Sequence, residues 1–235
     1  MNQLLQNCTL IIAAGGSGCR FGGNKLLKSI GGHPVLASSL LNLGAYFPAG
    51  HLILVAEKNS IETYRQICQK YLPTKPVEII AGGAERYNSV LNGLQAVENN
   101  MEFVAIHDAA RPLAQIELII SGLELLQHDK SLHGVSAAHK VVDTIKKVHS
   151  TLITDTVPRE DLWAMETPQI FRLQSLLRAY RTLPPGMTPT DDTAILALAG
   201  MDCAVLPNQH CNQKITLPED LDLVANMLKK SQLPQ

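Results

Sequence analysis

The sequence predicts an α/β fold: a mainly parallel sheet with helices on both faces, formed by 235 residues as a single domain. Three observations predict it. Short apolar runs alternate with longer amphipathic stretches along the chain, the pattern that parallel strands and crossover helices impose. A glycine-rich segment, AAGGSGCRFGGNK at 13–25, follows directly on the apolar run Leu10-Ile11-Ile12. The composition, 46% hydrophobic and 17% charged, is that of a chain able to form a buried core.

Taken in order, strands are expected at 9–13, 51–56, 77–81, 103–107, 134–138 and 204–206. Helices are expected at 34–46, 61–71, 85–98, 116–127, 173–182, 191–199 and 218–229. Ser60 precedes one helix, and Thr216 with Glu219 forms a capping-box pattern before the last. Asp191 and Asp192 read as a helix N-terminus, where carboxylates are favoured. One segment breaks the alternation. Residues 139–170 are rich in Val, Thr and Ile with period-two stretches, and read as a β-arm protruding from the body. Exposed strand edges are hazardous, so a homodimer that covers the arm is expected. The expected whole is a three-layer, Rossmann-like domain with one dimerisation arm at about 139–170.

Composition removes several function classes. A net charge of −1 supplies no basic field for nucleic acid. Five cysteines without C-x-x-C spacing fit neither a disulfide framework nor a zinc site. The N-terminus carries no Lys or Arg before its apolar run, and that run is too short to span a membrane. A reduced, cytoplasmic protein without a membrane partner is expected. The histidines show no H-x-x-x-H pair and there is no G-x-S-x-G elbow, so neither a His-pair metal site nor a serine nucleophile is indicated.

Chemistry is expected in the loops after the strands, where such sheets bind ligands. In the first loop Gly18 and Gly23 have P-loop separation, but Asn24 stands where Lys is required and Leu26 follows Lys25. Gly16-Ser17-Gly18 is followed by Phe21 rather than the third glycine of a dinucleotide fingerprint. Both motifs fail, yet Arg20 and Lys25 make the loop suited to an anion. In FVAIHDAARP, 103–112, an apolar strand ends in Asp108, placed to reach a divalent cation in the crevice. The plainer reading pairs Asp108 with Arg111. In AGGAERYNSVLNGL, 81–94, Arg86 and Ser89 open a helix whose amides suit an anion or a base edge. Lys214 follows the last strand and faces either the crevice or solvent.

With these residues in view, the chain resembles a known family. AGGSGCRF followed by Lys25 is similar to the signature loop of nucleotidyltransferases that join a nucleoside triphosphate to a sugar phosphate. Together with AGGAERYNSVLNGL, HDAARP, ETPQIF, TDDTAIL and KITLPEDL, from about Thr9 to Leu228, it resembles the 2-C-methyl-D-erythritol 4-phosphate cytidylyltransferase family of the non-mevalonate isoprenoid pathway. The resemblance implies CTP and methylerythritol phosphate as substrates, pyrophosphate as leaving group, Mg²⁺ as cofactor and a homodimer. It implies catalytic roles for Arg20, Lys25 and Lys214, with Ala14, Gly15, Gly16, Gly18, Gly82, Arg86, Ser89 and Ala109 around the nucleotide. Asp108 matches the Mg²⁺-associated aspartate and, with Arg111 and Thr167, the polyol phosphate site. Thr144 and Arg159 would reach that site from the arm of the second subunit. The chain departs from the pattern at Asn24, where proline is common, and at Ala84 and Cys211, where aspartate is frequent. Rival readings are another polyol phosphate such as ribitol 5-phosphate, a molybdopterin guanylyltransferase, and a nucleotide-binding regulator without turnover.

Overall fold

The chain runs as β1 (Cys8–Ala14), β2 (Ser29–Ile30), β3 (His33–Pro34), α1 (Val35–Asn42), β4 (Leu52–Ala56), α2 (Ile61–Tyr71), β5 (Glu78–Ala81), α3 (Arg86–Ala96) and β6 (Phe103–Asp108). It continues as α4 (Ile116–His128), β7 (Gly134–Lys140), β8 (Ile145–His149), β9 (Leu152–Val157), β10 (Trp163–Arg172), α5 (Leu173–Arg181), α6 (Asp192–Leu198), β11 (Cys203–Pro207) and α7 (Asp220–Ser231). This is a computed structural model, and it describes residues 3–16, 21–184 and 186–231.

The main sheet has seven strands in the order β11-β7-β10-β6-β1-β4-β5. All neighbours are parallel except β10, which runs antiparallel to both β6 and β7. Alternation along β1 sets the layers. Leu10 and Ile12 join one core cluster with residues of α1, α2 and α4, while Ile11 joins the other with residues of α3, α5 and α6. Strands buried on both faces need apolar residues at nearly every position, and β1, β4 and β6 supply them. The α/β class and the mainly parallel sheet stand as expected. Among the described residues, no helix is long and apolar enough to cross a membrane.

The segment at 139–170 differs from expectation. Only β8 and β9 form a separate two-stranded hairpin. Residues from Trp163 onward are a strand of the main sheet, where Ile170 and Phe171 are fully buried. Period-two patterning is the same in a free hairpin and in a central strand, so it did not distinguish them. The helix expected at 34–46 breaks at Asn42 and gives way to a 3₁₀ turn, Gly44–Tyr46.

Two caps also differ. Ser60 makes no side-chain cap bond to α2. The turn before α7 is closed by Asp220, whose Oδ2 accepts from the N–H groups of Thr216 at 2.7 Å and Leu217 at 2.8 Å. The helix begins at Asp220, so Glu219 lies ahead of it and the Thr216–Glu219 pairing does not form.

Candidate active site

β1 and β6 lie side by side, with Ala13 in register with Asp108. On leaving β1 the chain builds outward through β4 and β5, whereas β6 is flanked on its other edge by β10. The crevice opens at this reversal of strand order. Two cavities occupy it. One, of 610 Å³, is lined by Ala14, Gly15, Gly16, Lys25, Gly83 and Ser89 among others. The other, of 790 Å³, is lined by Arg111, Glu166, Thr167, Gln169 and Asp191 among others. Arg86, Asp108 and Lys214 line both, and so form the boundary between them.

The boundary is a charge network. Oδ2 of Asp108 lies 2.5 Å from Nζ of Lys214, and its Oδ1 lies 3.5 Å from Nε of Arg86. Burial alone would raise the Asp108 carboxyl, but the Lys214 ammonium and the Arg86 guanidinium hold it well below the usual carboxylate range. The expected alternative, an Asp108–Arg111 ion pair, does not form. Arg111 instead donates from Nη1 to the Asn212 carbonyl at 2.8 Å and from Nη2 to the Met165 carbonyl at 3.4 Å.

Behind the boundary sits Asp192, fully buried on α6. Its Oδ2 lies 2.9 Å from Nη1 of Arg86, and its Oδ1 accepts from the Tyr180 hydroxyl at 2.6 Å. Asp191 caps α6 as expected, its Oδ1 accepting from the Ala194 N–H at 3.0 Å. Asp192, by contrast, anchors Arg86 from the interior, a partnership across 106 positions that no local pattern reveals.

A buried relay fixes the other side of Asp108. Burial lowers His107 to about 4, so the ring is neutral near pH 7. Its Nε2 lies 3.1 Å from the Arg111 carbonyl, which only accepts, so Nε2 carries the proton. Nδ1 is then the acceptor for the Thr167 hydroxyl at 3.2 Å, and Thr167 Oγ1 accepts from the Asp108 N–H at 3.0 Å. Thr167 thus borders the cavity while its hydroxyl holds the Asp108 backbone.

Glu166, the fourth residue of β10, is a further residue that sequence reasoning missed; its partners lie 27 to 46 positions away, so no local pattern marks it. It is buried, with Oε1 2.7 Å from His139 Nδ1 and Oε2 accepting from Asn208 Nδ2 at 2.8 Å and Asn212 Nδ2 at 2.9 Å. It therefore ties the end of β7 to the loop that carries Lys214.

On the glycine-loop side, Lys25 opens a one-turn 3₁₀ helix, Lys25–Leu27, and its Nζ donates to the Ile215 carbonyl at 2.6 Å. Ser89 Oγ accepts from the Gly83 N–H at 3.0 Å and donates to the Glu85 carbonyl at 3.1 Å, closing the turn after β5. Gly82 must be small there, because a Cβ would sit 2.8 Å from Ser89 Oγ.

Most of the expected residues therefore meet at the crevice, with four kinds of exception. Gly82 lies behind the cavity wall, whose lining at this point is Gly83. Ala109 is fully buried and lines neither cavity: its N–H donates to the Ala13 carbonyl at 3.0 Å and its carbonyl accepts from Ser39 Oγ at 2.9 Å. Thr144 and Arg159 are exposed at the arm and line neither cavity, and Arg159 donates to the Val142 carbonyl. Gly18 and Arg20 lie outside the described residues.

Residues 8–230 match the family model for IspD, 2-C-methyl-D-erythritol 4-phosphate cytidylyltransferase. The chain belongs to this family. The enzyme of that name from Halalkalibacterium halodurans is 35% identical over 216 residues, covering 91% of this chain and 93% of that protein. Its namesake from a Nostoc species is 35% identical over 223 residues, covering 93% and 96%. Among solved structures, 4-diphosphocytidyl-2C-methyl-D-erythritol synthase from Anaerococcus prevotii superposes with a TM-score of 0.80 at 26% identity, covering 96% of this chain and 99% of its own. As a member of the IspD family, the chain is a nucleotidyltransferase.

Proposed function

We propose that this IspD-family chain transfers the cytidylyl group of CTP to 2-C-methyl-D-erythritol 4-phosphate, for isoprenoid precursor synthesis in the cytoplasm. The observation that carries the reading is the pair of adjoining cavities with Arg86, Asp108 and Lys214 on their common wall. The glycine-lined cavity takes CTP, and the larger one takes the polyol phosphate. A phosphate oxygen of the acceptor attacks the α-phosphorus, the bond from that phosphorus to the β-phosphate breaks, and pyrophosphate leaves with the electron pair. A phosphate monoester is already largely dianionic at pH 7, having a second pKa of about 6, so no general base is required. That agrees with a neutral His107 whose two nitrogens are both engaged.

The protein's work is then alignment and charge compensation. Lys25 and Lys214 both line the glycine-lined cavity, Lys25 Nζ being held on the carbonyl of Ile215, and Arg20 is assigned to the same loop as Lys25. Among the described residues no group of three His, Cys, Asp or Glu forms a metal cage. Among the described residues, Asp108 is the only carboxylate that lines both cavities, and its ionised state suits a hard cation. One carboxylate plus substrate phosphates is the usual holding of Mg²⁺, which when bound would neutralise charge on the triphosphate.

The chain acts as a homodimer. Val142, Leu152 and Ile153 on the arm are 76%, 72% and 67% exposed, an apolar surface that needs cover. A lone hairpin is also marginal in water. The partner's arm would bring Thr144 and Arg159 to the polyol phosphate. The test is pyrophosphate release from CTP, ATP, GTP and UTP with a panel of polyol phosphates. Release only with CTP and methylerythritol phosphate is expected, because a base-edge site built on hydrogen bonds rejects mismatches strongly. Equal release with ribitol 5-phosphate, or with ATP, would overturn the assignment.

A further inference from the structure

Lys25 begins a single 3₁₀ turn, and one such turn has little stability of its own. Its direction is set by the residue before it. Asn24 caps the turn, Oδ1 accepting from the Leu26 N–H at 3.1 Å. The same Oδ1 accepts from the Tyr64 hydroxyl at 3.1 Å, and Asn24 Nδ2 donates to Ser60 Oγ at 3.3 Å. Tyr64 lies on α2 and Ser60 just before it, and α2 follows β4, the sheet neighbour of β1. Tyr64 is 2% exposed, and burial pushes its phenol up, so it stays a donor. Two rigid groups from the next strand's crossover thus grip the residue that aims Lys25 into the nucleotide cavity.

We propose that Tyr64 is a positioning residue for Lys25, acting through the Asn24 side chain. This rests on the reading of Lys25 as a stabiliser of charge developing on the triphosphate. The hydroxyl fixes the Asn24 amide, the amide fixes the 3₁₀ turn, and the turn holds the Lys25 stem. Nζ then stays on the carbonyl of Ile215, between the cavity-lining Lys214 and Thr216 in sequence. A purely structural Tyr64 would matter to folding and not to one cation. The two alternatives separate in a double-mutant cycle.

Turnover is measured for the full chain with CTP, Mg²⁺ and methylerythritol phosphate, in wild type, Tyr64→Phe, Lys25→Ala and the double variant. Phenylalanine keeps the ring in the core, so the fold is retained, and melting curves set a temperature at which every variant is folded. Lys25→Ala should lower kcat by roughly 10²-fold. Tyr64→Phe should lower kcat by roughly three- to tenfold, as loss of one buried hydrogen bond implies, with KM for CTP moving less than about twofold. In the Lys25→Ala background it should lower kcat no further. An equal loss in both backgrounds, or no loss in the wild-type background, overturns the proposal. Near-normal kcat in Lys25→Ala alone overturns the underlying role of Lys25, and that result is read without touching Tyr64. Asn24→Ala gives an independent route: it should lower kcat at least as far as Tyr64→Phe, and the two changes together should be no worse than Asn24→Ala. Additive losses in that pair contradict the route through Asn24.

Discussion

Lys214 Nζ and Asp108 Oδ2 lie 2.5 Å apart, on the wall shared by the two cavities of the crevice. The pair joins the end of a central strand to the loop before α7. Each partner fixes the other where the acceptor phosphate and the α-phosphate would meet. Lys214→Met should lower kcat by roughly 10²-fold, the scale of losing one electrostatic stabiliser, with a smaller effect on CTP affinity. Steady-state kinetics with a separate CTP titration checks this; unchanged kcat would make Lys214 a surface cation.

Asp192 is the interior anchor of Arg86. Asp192→Ala removes the nearer carboxylate of Arg86, leaving Asp108 at 3.5 Å, and strips the buried Tyr180 hydroxyl of its acceptor, so it should destabilise the fold by about 1–3 kcal/mol. Urea unfolding would show it as a lower midpoint at similar slope. A variant as stable as wild type would mean that Arg86 finds an equivalent partner.

His107 predicts a pH dependence of stability. In the folded chain burial lowers it to about 4, while an unfolded histidine titrates near 6.5. Between those values the unfolded state binds the extra proton, so stability falls as pH drops from about 6.5 to 4 and is independent of this group above that window. Unfolding curves at pH 7 and 5 should show a loss in wild type that is smaller in His107→Gln. Equal losses would place the pH dependence elsewhere.

Much of this was legible in the sequence because α/β folds write local rules. Apolar runs marked β1, β4, β5, β6, β7 and β11, and the glycine loop and Asp108 stood at strand ends where such folds bind ligands. What was not legible was long-range. Nothing near Trp163 to Arg172 shows that it inserts antiparallel between β6 and β7, because an alternating strand looks the same beside any neighbour. Asp192 does begin α6 as expected, but its bond to Arg86 left no local sign because that partner is far away in sequence. Ala109 looked like a ligand contact because its motif adjoins the crevice, yet both its backbone groups are engaged inside the fold.

The proposed homodimer, with a site shared between subunits, predicts complementation. Arg159→Ala and Lys25→Ala proteins, each nearly inactive, should regain activity when mixed and allowed to exchange subunits, since one site of the mixed dimer then holds both residues. Absence of recovery despite exchange seen by native mass spectrometry would show that each chain uses its own Arg159.

The central claim, attack by the acceptor phosphate on the α-phosphorus, is tested most directly by isotope position. Methylerythritol phosphate carrying ¹⁸O in its non-bridging phosphate oxygens is incubated with CTP and Mg²⁺, and the products are weighed by mass spectrometry. The account predicts a diphosphocytidyl product that keeps every labelled oxygen, one of them now bridging to the cytidylyl phosphorus, and unlabelled pyrophosphate. Label in a released phosphate, or CMP formed with the acceptor untouched, would contradict it.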